Sequence, residues 1–541
     1  MVFMDNETKE SLDFQYILNM ISTITPYGMM YKEKMKPFVL GQEEALIEEL
    51  NKLECYIPYV KDKDVRRAFN NIFGHIKDLR NSVKRAMEGS ILTEIELFEI
   101  KNFLFLIRNL NKLMKDNEIP TWKDMEIEPI EKLESLLDPE STGISTFYIY
   151  DCYSEQLKAI RESKRETDKE IKLEKKTIKE KIKEELKIDL RPDGTVVIPK
   201  DNQPLLEKIE NYPHLTYVSE TYMNIKFTIK PTENITLLER KLLLLKDQEE
   251  REELKVREML SKEIGKRRKS LFKNMASIGK IDLILGKAKY GLDIEGVKPN
   301  IVKDHVISIE EGRHPKVEAF LKEKDLKFTP ISIELKEGVA CITGANMGGK
   351  TISLKLVGLL TAMAHYGLFI PAKGMTLGLS EYIKCSIGDM QSTDNGLSTF
   401  GGEIKIVQEA IEKSTAKGLV LIDELARGTN PDEGYAISKA IVSYLKDKEA
   451  ITLLTTHYDN VANLDKVVHL QVVGLSKVDF ADLVNNMEHE NKMDLINRYM
   501  DYRLRVVKKD RNVPRDALNI ARIMGLDKEI LDTAEKILKE K

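Results

Sequence analysis

The sequence predicts a multi-domain protein: an all-α core carrying a long coiled-coil arm, followed by an α/β domain. Three observations predict it. Apolar residues recur at helical spacing over about the first 150 positions. Two long, charge-rich stretches with thin apolar seams flank a short β-like insert. From about Asn300 onward, short apolar runs alternate with helical segments, the pattern of a largely parallel sheet. At 541 residues the chain has room for three or four domains at roughly 150 residues each.

The helical front is marked by Leu12, Tyr16, Ile17, Met20 and Ile21, by Leu46, Ile47, Leu50 and Leu53, and by Leu97, Ile100, Leu104 and Ile107. Thr25-Pro26-Tyr27-Gly28 and Pro120-Thr121 punctuate it. Between Leu157 and Leu190, twelve Lys/Arg and nine Asp/Glu surround Ile171, Ile178, Ile182 and Leu186. Such a stretch reads as half of a coiled coil or as a solvated surface helix. Arg191-Pro192-Asp193-Gly194 then forms a turn, Val196-Val197-Ile198 a strand, and Ile225 to Lys230 alternates strictly. A second long helix is expected from about Ile235 to Phe272. Its positions Leu238, Leu242, Leu245, Glu249, Glu252, Val256 and Met259 step alternately by four and three. A helix out, a small sheet and a helix back make an arm with a tip. The expected division is 1–155 helical core, 156–265 the arm with its β insert, 266–300 return helices, and 301–541 the α/β domain with a C-terminal helical segment.

Composition narrows the class. A net charge of −4 excludes a polybasic binder acting over the whole chain, though not a local basic surface. Cys55, Cys152, Cys341 and Cys385 lie far apart without a CxxC pair, so a reducing cytosol is the default. The N-terminus lacks the order of a secretory signal, and no apolar run approaches the ~18 residues a membrane span needs. A cytoplasmic protein without membrane contact is expected.

The back half carries the chemistry. Strand-like runs lie near Ile331–Leu335, Val339–Thr343, Leu419–Ile422 and Ile451–Thr455. After the second comes Gly344-Ala345-Asn346-Met347-Gly348-Gly349-Lys350-Thr351, with P-loop spacing in a strand–loop–helix setting. Such a loop turns backbone N–H groups toward phosphate oxygens, and the helix N-terminus adds positive potential. Lys350 would reach the β- and γ-phosphates of ATP, and the Thr351 hydroxyl would hold Mg²⁺. Leu419-Val420-Leu421-Ile422 ends in Asp423-Glu424, at the C-terminal edge where parallel strands present ligands. Asp423 would join the Mg²⁺ shell. Glu424 would orient and deprotonate the attacking water, a role worth about 10²- to 10⁴-fold. Leu453-Leu454-Thr455-Thr456-His457 places His457 at the mouth of the same sheet, within reach of the γ-phosphate. A Gly/Ser-rich stretch, Ile387-Gly388-Asp389-Met390-Gln391-Ser392 to Ser398-Thr399-Phe400, leads into a helix near Ile404. An anion-binding helix start and an ordinary cap by Ser398 or Thr399 both fit it.

Together these motifs resemble the MutS family, whose ATPase is of the ABC-type P-loop class. Thr343 to Thr351 is similar to its Walker A, Ser398-Thr399-Phe400 to its signature, and Asp423-Glu424-Leu425 with Arg427-Gly428-Thr429 to its Walker B and D-loop. Thr455-Thr456-His457-Tyr458 resembles its His switch, and Gly312-Arg313-His314-Pro315 the motif opening its ATPase domain. Ile387-Gly388-Asp389-x-Gln391-Ser392, Thr429-Asn430-Pro431-x-Glu433-Gly434 and Leu12-Asp13-Phe14-x2-Ile17-Leu18 bring the chain nearer the type-2 branch, which lacks mismatch-recognition domains. The sequence is expected to lack the branch's C-terminal Smr nuclease domain as well. Ala345, Gly401-Gly402-Glu403 and Asn512-Val513-Pro514-Arg515 depart from the family pattern.

The resemblance implies a homodimer, or a heterodimer with a related subunit, in which Ser398 of one copy meets the γ-phosphate held by Lys350 of the other. It implies that the arm of 156–265 is a lever and clamp and that the C-terminal helical segment dimerises, the clamp acting on nucleic acid, such as branched DNA. A second reading is an ATPase that remodels a protein client, such as an adenosylcobalamin-dependent aminomutase. For the clamp, Lys200, Lys208, Lys226 and Lys230 are available at the tip, but Glu207, Glu210, Glu220 and Glu233 lie among them.

Overall fold

The computed structural model describes residues 2–344, 349–387, 399–426, 429–474, 501–507 and 516–540. The chain forms two compact units, one of Met1–Gly74, Leu113–Glu126 and Ala276–Lys541, the other of His75–Lys112 and Ile127–Met275.

The second unit is dominated by the helices Glu155–Leu186 and Glu233–Lys266, of 32 and 34 residues. Each begins at a side-chain cap, Ser154 accepting from the Leu157 N–H and Thr232 from that of Ile235. The helices run antiparallel. Arg161 pairs with Glu249 at 3.0 Å and Glu253 at 2.7 Å, Lys164 with Glu249, and Lys175 with Glu239 at 2.8 Å. The acid at 249 therefore has a purpose in the seam: it takes two cations from the facing helix. At the far end of the periodic run the inward position is Leu260, which is buried, whereas Met259 is exposed.

Between the long helices lies a sheet of β1 (Thr195–Pro199), β2 (Leu215–Glu220) and β3 (Asn224–Ile229), antiparallel in the order β1-β3-β2. With helix Gln203–Glu210 it closes on Val196, Ile198, Leu206, Ile209, Leu215 and Phe227, joined by Ile178, Ile182 and Ile235 from the long helices. Only Leu215 of β2 is buried, so that strand has no alternation for a sequence pattern to register.

Elsewhere in this unit, Lys101 is fully buried. Its ammonium bonds to Asp138 at 3.0 Å, the Thr146 carbonyl at 3.0 Å and the Tyr150 hydroxyl at 3.2 Å. Burial pushes the Asp138 carboxyl up. The Gly143 N–H, Lys101 and Thr142 outweigh it and hold the group at about 2.

The first unit holds two sheets. One comprises β4 (Asn300–Val302), β5 (Val306–Gly312), β6 (Ile331–Lys336) and, later in the chain, Gly374–Gly378 (β8). The other begins with β7 (Gly338–Thr343) and continues with β9 (Ile383–Ser386), β10 (Leu419–Ile422), β11 (Ile451–Thr455), β12 (Val468–Gly474) and β13 (Asp501–Val506). The first sheet runs β4-β8-β5-β6 and the second β13-β12-β7-β11-β10-β9. In the second, every neighbouring pair is parallel except β12–β13. Strands β7, β10 and β11 are buried at every position, as central parallel strands must be. Ile331–Lys336 belongs instead to the smaller sheet, paired antiparallel with β5. Its burial alternates strictly, because one face meets the core and the other solvent.

Helix Lys350–His365 follows β7. At Gly358 the missing side chain makes room for methyls of Leu12 and Leu421, each 2.5 Å from where a Cβ would stand. The chain's first residues run beside strand β9. The Phe3 carbonyl accepts from the Ile383 N–H at 2.8 Å, and Asp5 pairs with Lys384 at 2.8 Å. Asp5 also caps helix Asn6–Ser11 through the Thr8 N–H.

Gly312-Arg313-His314-Pro315 is a joint between β5 and helix Pro315–Glu323. Arg313 binds Glu318 at 2.9 Å and the Ile294 carbonyl at 2.6 Å, and His314 is fully buried. Burial pushes His314 and His365 down from 6.5 to about 4. The unfolded chain therefore takes up protons at these rings near 6.5 and the folded chain only near 4. In that interval the unfolded state binds more protons, so stability falls as pH falls. Acidification from about pH 6.5 to 4 is expected to cost on the order of 3 kcal/mol per ring. Urea unfolding of wild type against His314→Gln should show it, the variant having the flatter pH dependence.

Candidate functional site

The parallel order of β7, β10 and β11 brings three chain segments to one edge of the larger sheet. After β7, Gly344 adopts φ +131 and Gly349 φ +76, conformations that favour glycine. A Cβ on Gly349 would also stand 2.9 Å from the Tyr502 ring. Lys350, almost fully buried as the first residue of its helix, donates from Nζ to the Gly344 carbonyl at 2.6 Å. Its neighbour Thr351 donates from Oγ1 to Asp423 Oδ2 at 2.7 Å.

Asp423 follows β10, and its N–H donates to the Ser386 carbonyl at the end of β9. Its second oxygen accepts from Thr455 Oγ1 at 2.7 Å. The same Thr455 oxygen accepts from the Glu424 N–H at 2.7 Å. Glu424 sits at φ +50 and Ala426 at φ +62, left-handed positions that cost non-glycine residues about 1–3 kcal/mol each. That turn carries the Glu424 carboxylate to His457, whose Nε2 lies 3.0 Å from Oε1.

Gly344, Gly349, Lys350, Thr351, Asp423, Glu424 and His457 are thus neighbours. Ala345, Asn346, Met347, Gly348, Ser398, Arg427 and Gly428 lie outside the described residues, as do Gly388–Leu397 and Asn512–Arg515. Helix Thr399–Lys413 begins immediately after Ser398. Thr455 is a residue whose part the sequence pattern did not single out. Its signal lay in the parallel register, which sets Leu454 beside Ile422 and hence Thr455 beside Asp423.

The chemistry of this donor set is hard and anionic on one side and cationic on the other. A hydroxyl and a carboxylate 2.7 Å apart suit Mg²⁺, which takes few protein oxygens and fills its octahedron with water and phosphate. Among the described residues no group of three or more His, Cys, Asp or Glu converges, so a site built wholly from such side chains is not present there.

Comparison with known proteins agrees with the motifs. Residues 340–540 match MutS domain V. An Endonuclease MutS2 of Caldanaerobacter subterraneus subsp. tengcongensis is 28% identical over 99% of this chain and 64% of its own length. Another, from Acetivibrio thermocellus, is 31% identical over 84% of the chain and 57% of its length. A DNA mismatch repair protein MutS of Aquifex pyrophilus is 34% identical over 57% of the chain and 34% of its length. The chain thus spans less than two thirds of these relatives. With the motifs, their order along the chain and a similarity running over nearly all of it, the chain belongs to the MutS family and is MutS2-like.

Proposed function

We propose that the protein is a Mg²⁺-dependent ATPase that works as a dimeric clamp on nucleic acid, with branched or structured DNA as the preferred substrate. The observation that carries the ATPase reading is the Asp423 carboxylate bracketed by the Thr351 and Thr455 hydroxyls, with Glu424 held against His457 one residue on. Lys350 and the backbone of the loop ending at Gly349 would hold the triphosphate, and Thr351 and Asp423 would hold Mg²⁺. When bound, the ion neutralises charge on the phosphate oxygens. Glu424 would take a proton from the attacking water at its carboxylate, and His457 would fix that carboxylate's direction and donate to the γ-phosphate. Ser398 would act on the nucleotide of a second copy.

Dimerisation is supported by the C-terminal helices Asp516–Met524 and Lys528–Glu540, on which Met524, Ile530, Ile537 and Leu538 are exposed. An apolar face of this kind suits a second copy. The antiparallel pair of long helices is read as the coiled-coil lever, and the small sheet as the clamp tip. The relatives' names, endonuclease and mismatch repair protein, favour nucleic acid over a protein client.

Phosphate release from MgATP is to be measured alone and with a four-way DNA junction, a DNA duplex and an RNA. Stimulation by the junction is expected; no turnover under any condition would end the proposal. Thr455→Val, which keeps shape but removes both hydroxyl bonds, is expected to lower turnover about 10- to 100-fold and raise the Mg²⁺ requirement. A Mg²⁺ titration of the rate reads both.

A further inference from the structure

We propose that the unit of His75–Lys112 and Ile127–Met275 carries a phosphate-backbone binding surface where helices Arg80–Met87 and Glu233–Lys266 cross. It rests on the reading of nucleic acid as partner and assigns that partner a second contact, apart from the small sheet. A helix of 34 residues is about 50 Å long, and the crossing lies at the end opposite the sheet.

The crossing is close and fixed. A Cβ on Gly265 would stand 2.6 Å from the Ala86 carbonyl oxygen, so the two backbones touch. Ser261 Oγ accepts from the Leu92 N–H at 2.9 Å beside it. Ser82, Val83, Ser261 and Ile264 are buried around this contact, and the cations of both helices lie on the outer side. Lys84, Arg85, Lys262, Lys266 and Lys269 are all exposed.

Their charge is not used up locally. Residues 77–96 and 257–273 hold eleven Lys and Arg against six Asp and Glu, in a chain whose net charge is −4. Lys84 pairs with Glu88, Arg85 with Glu96, Lys273 with Glu128, and Lys266 and Arg267 share Glu263. Both helices also end here, and each C-terminus draws cations with about half a negative charge. Counting Glu128 and both helix ends, about three positive charges are left over. Among the described residues Lys262 and Lys269 pair with no carboxylate. A surplus of cations along a rigid ridge fits a repeating phosphate backbone.

The test compares wild type with Lys262→Glu/Lys266→Glu/Lys269→Glu and with the same three positions changed to Gln. Binding to a labelled DNA duplex, a four-way DNA junction and a single-stranded RNA is followed by anisotropy with ATP present, from about 50 to 200 mM salt. The charge reversal should weaken binding at least tenfold and flatten the slope of log K against log salt by about two to three. The Gln variant should fall between, and nucleotide turnover without nucleic acid should stay as in wild type. If circular dichroism shows the reversal misfolded, the Gln variant decides. Wild-type affinity and slope retained in a folded variant would overturn the surface while leaving the clamp intact. Wild type that binds no nucleic acid even at low salt would overturn both. Charge-dependent binding to phosphatidylglycerol vesicles but to none of the nucleic acids would overturn the partner.

Discussion

Lys350→Ala is expected to abolish ATP binding at ordinary nucleotide concentrations, raising Kd on the order of 30- to 4,000-fold. The ammonium is nearly buried and anchored to the Gly344 carbonyl, so it stands at the loop before any phosphate arrives. Truncating one partner of a buried, hydrogen-bonded charge pair costs about 2–5 kcal/mol, because the triphosphate would then enter without its counter-charge. Titration with a fluorescent ATP analogue measures the loss, and circular dichroism checks the fold. Turnover at the wild-type rate in this variant would place the nucleotide elsewhere.

Glu424→Gln should separate binding from chemistry. Glutamine keeps the shape and an acceptor for His457 but cannot take the water's proton, so hydrolysis should slow about 10²- to 10⁴-fold. ATP affinity should be nearly unchanged, since Lys350, Thr351 and Asp423 remain. Held in its ATP-bound state, the variant should sediment as a dimer with nucleotide and revert on its removal. A slow variant that stays monomeric with saturating ATP would contradict the composite site formed with Ser398 of a second copy. A variant of wild-type speed would remove Glu424 from the chemistry.

The larger sheet and the site's main groups were legible because both leave local marks. Central parallel strands are unbroken apolar runs, and the groups proposed to meet the nucleotide lie within two residues of their ends, as Gly344, Asp423 and His457 do. Other features depend on contacts remote in sequence and leave no such mark. Thr455 looks like the last residue of a strand until the register sets it against Asp423. Glu249 looks like a flaw in an apolar seam until Arg161 and Lys164 arrive from the facing helix. Strand β2, with one buried residue, has nothing periodic to display, and Ile331–Lys336 differs from the central strands only in its alternation. The helical spacing near Leu12 was plain in the sequence. Its destination, the gap above Gly358, was not.

That destination has a consequence for handling the protein. Strand β9 ends the larger sheet, and the backbone of Phe3 occupies part of its outer rim. Loss of residues 2–11, by proteolysis or by design, would uncover a row of amide and carbonyl groups able to pair with any extended chain. It would also empty the seat of the Lys384 ammonium, leaving Glu409 as its carboxylate partner. Material trimmed in this way is a candidate for self-association through bare β-edges, an artefact easily taken for the nucleotide-driven dimer.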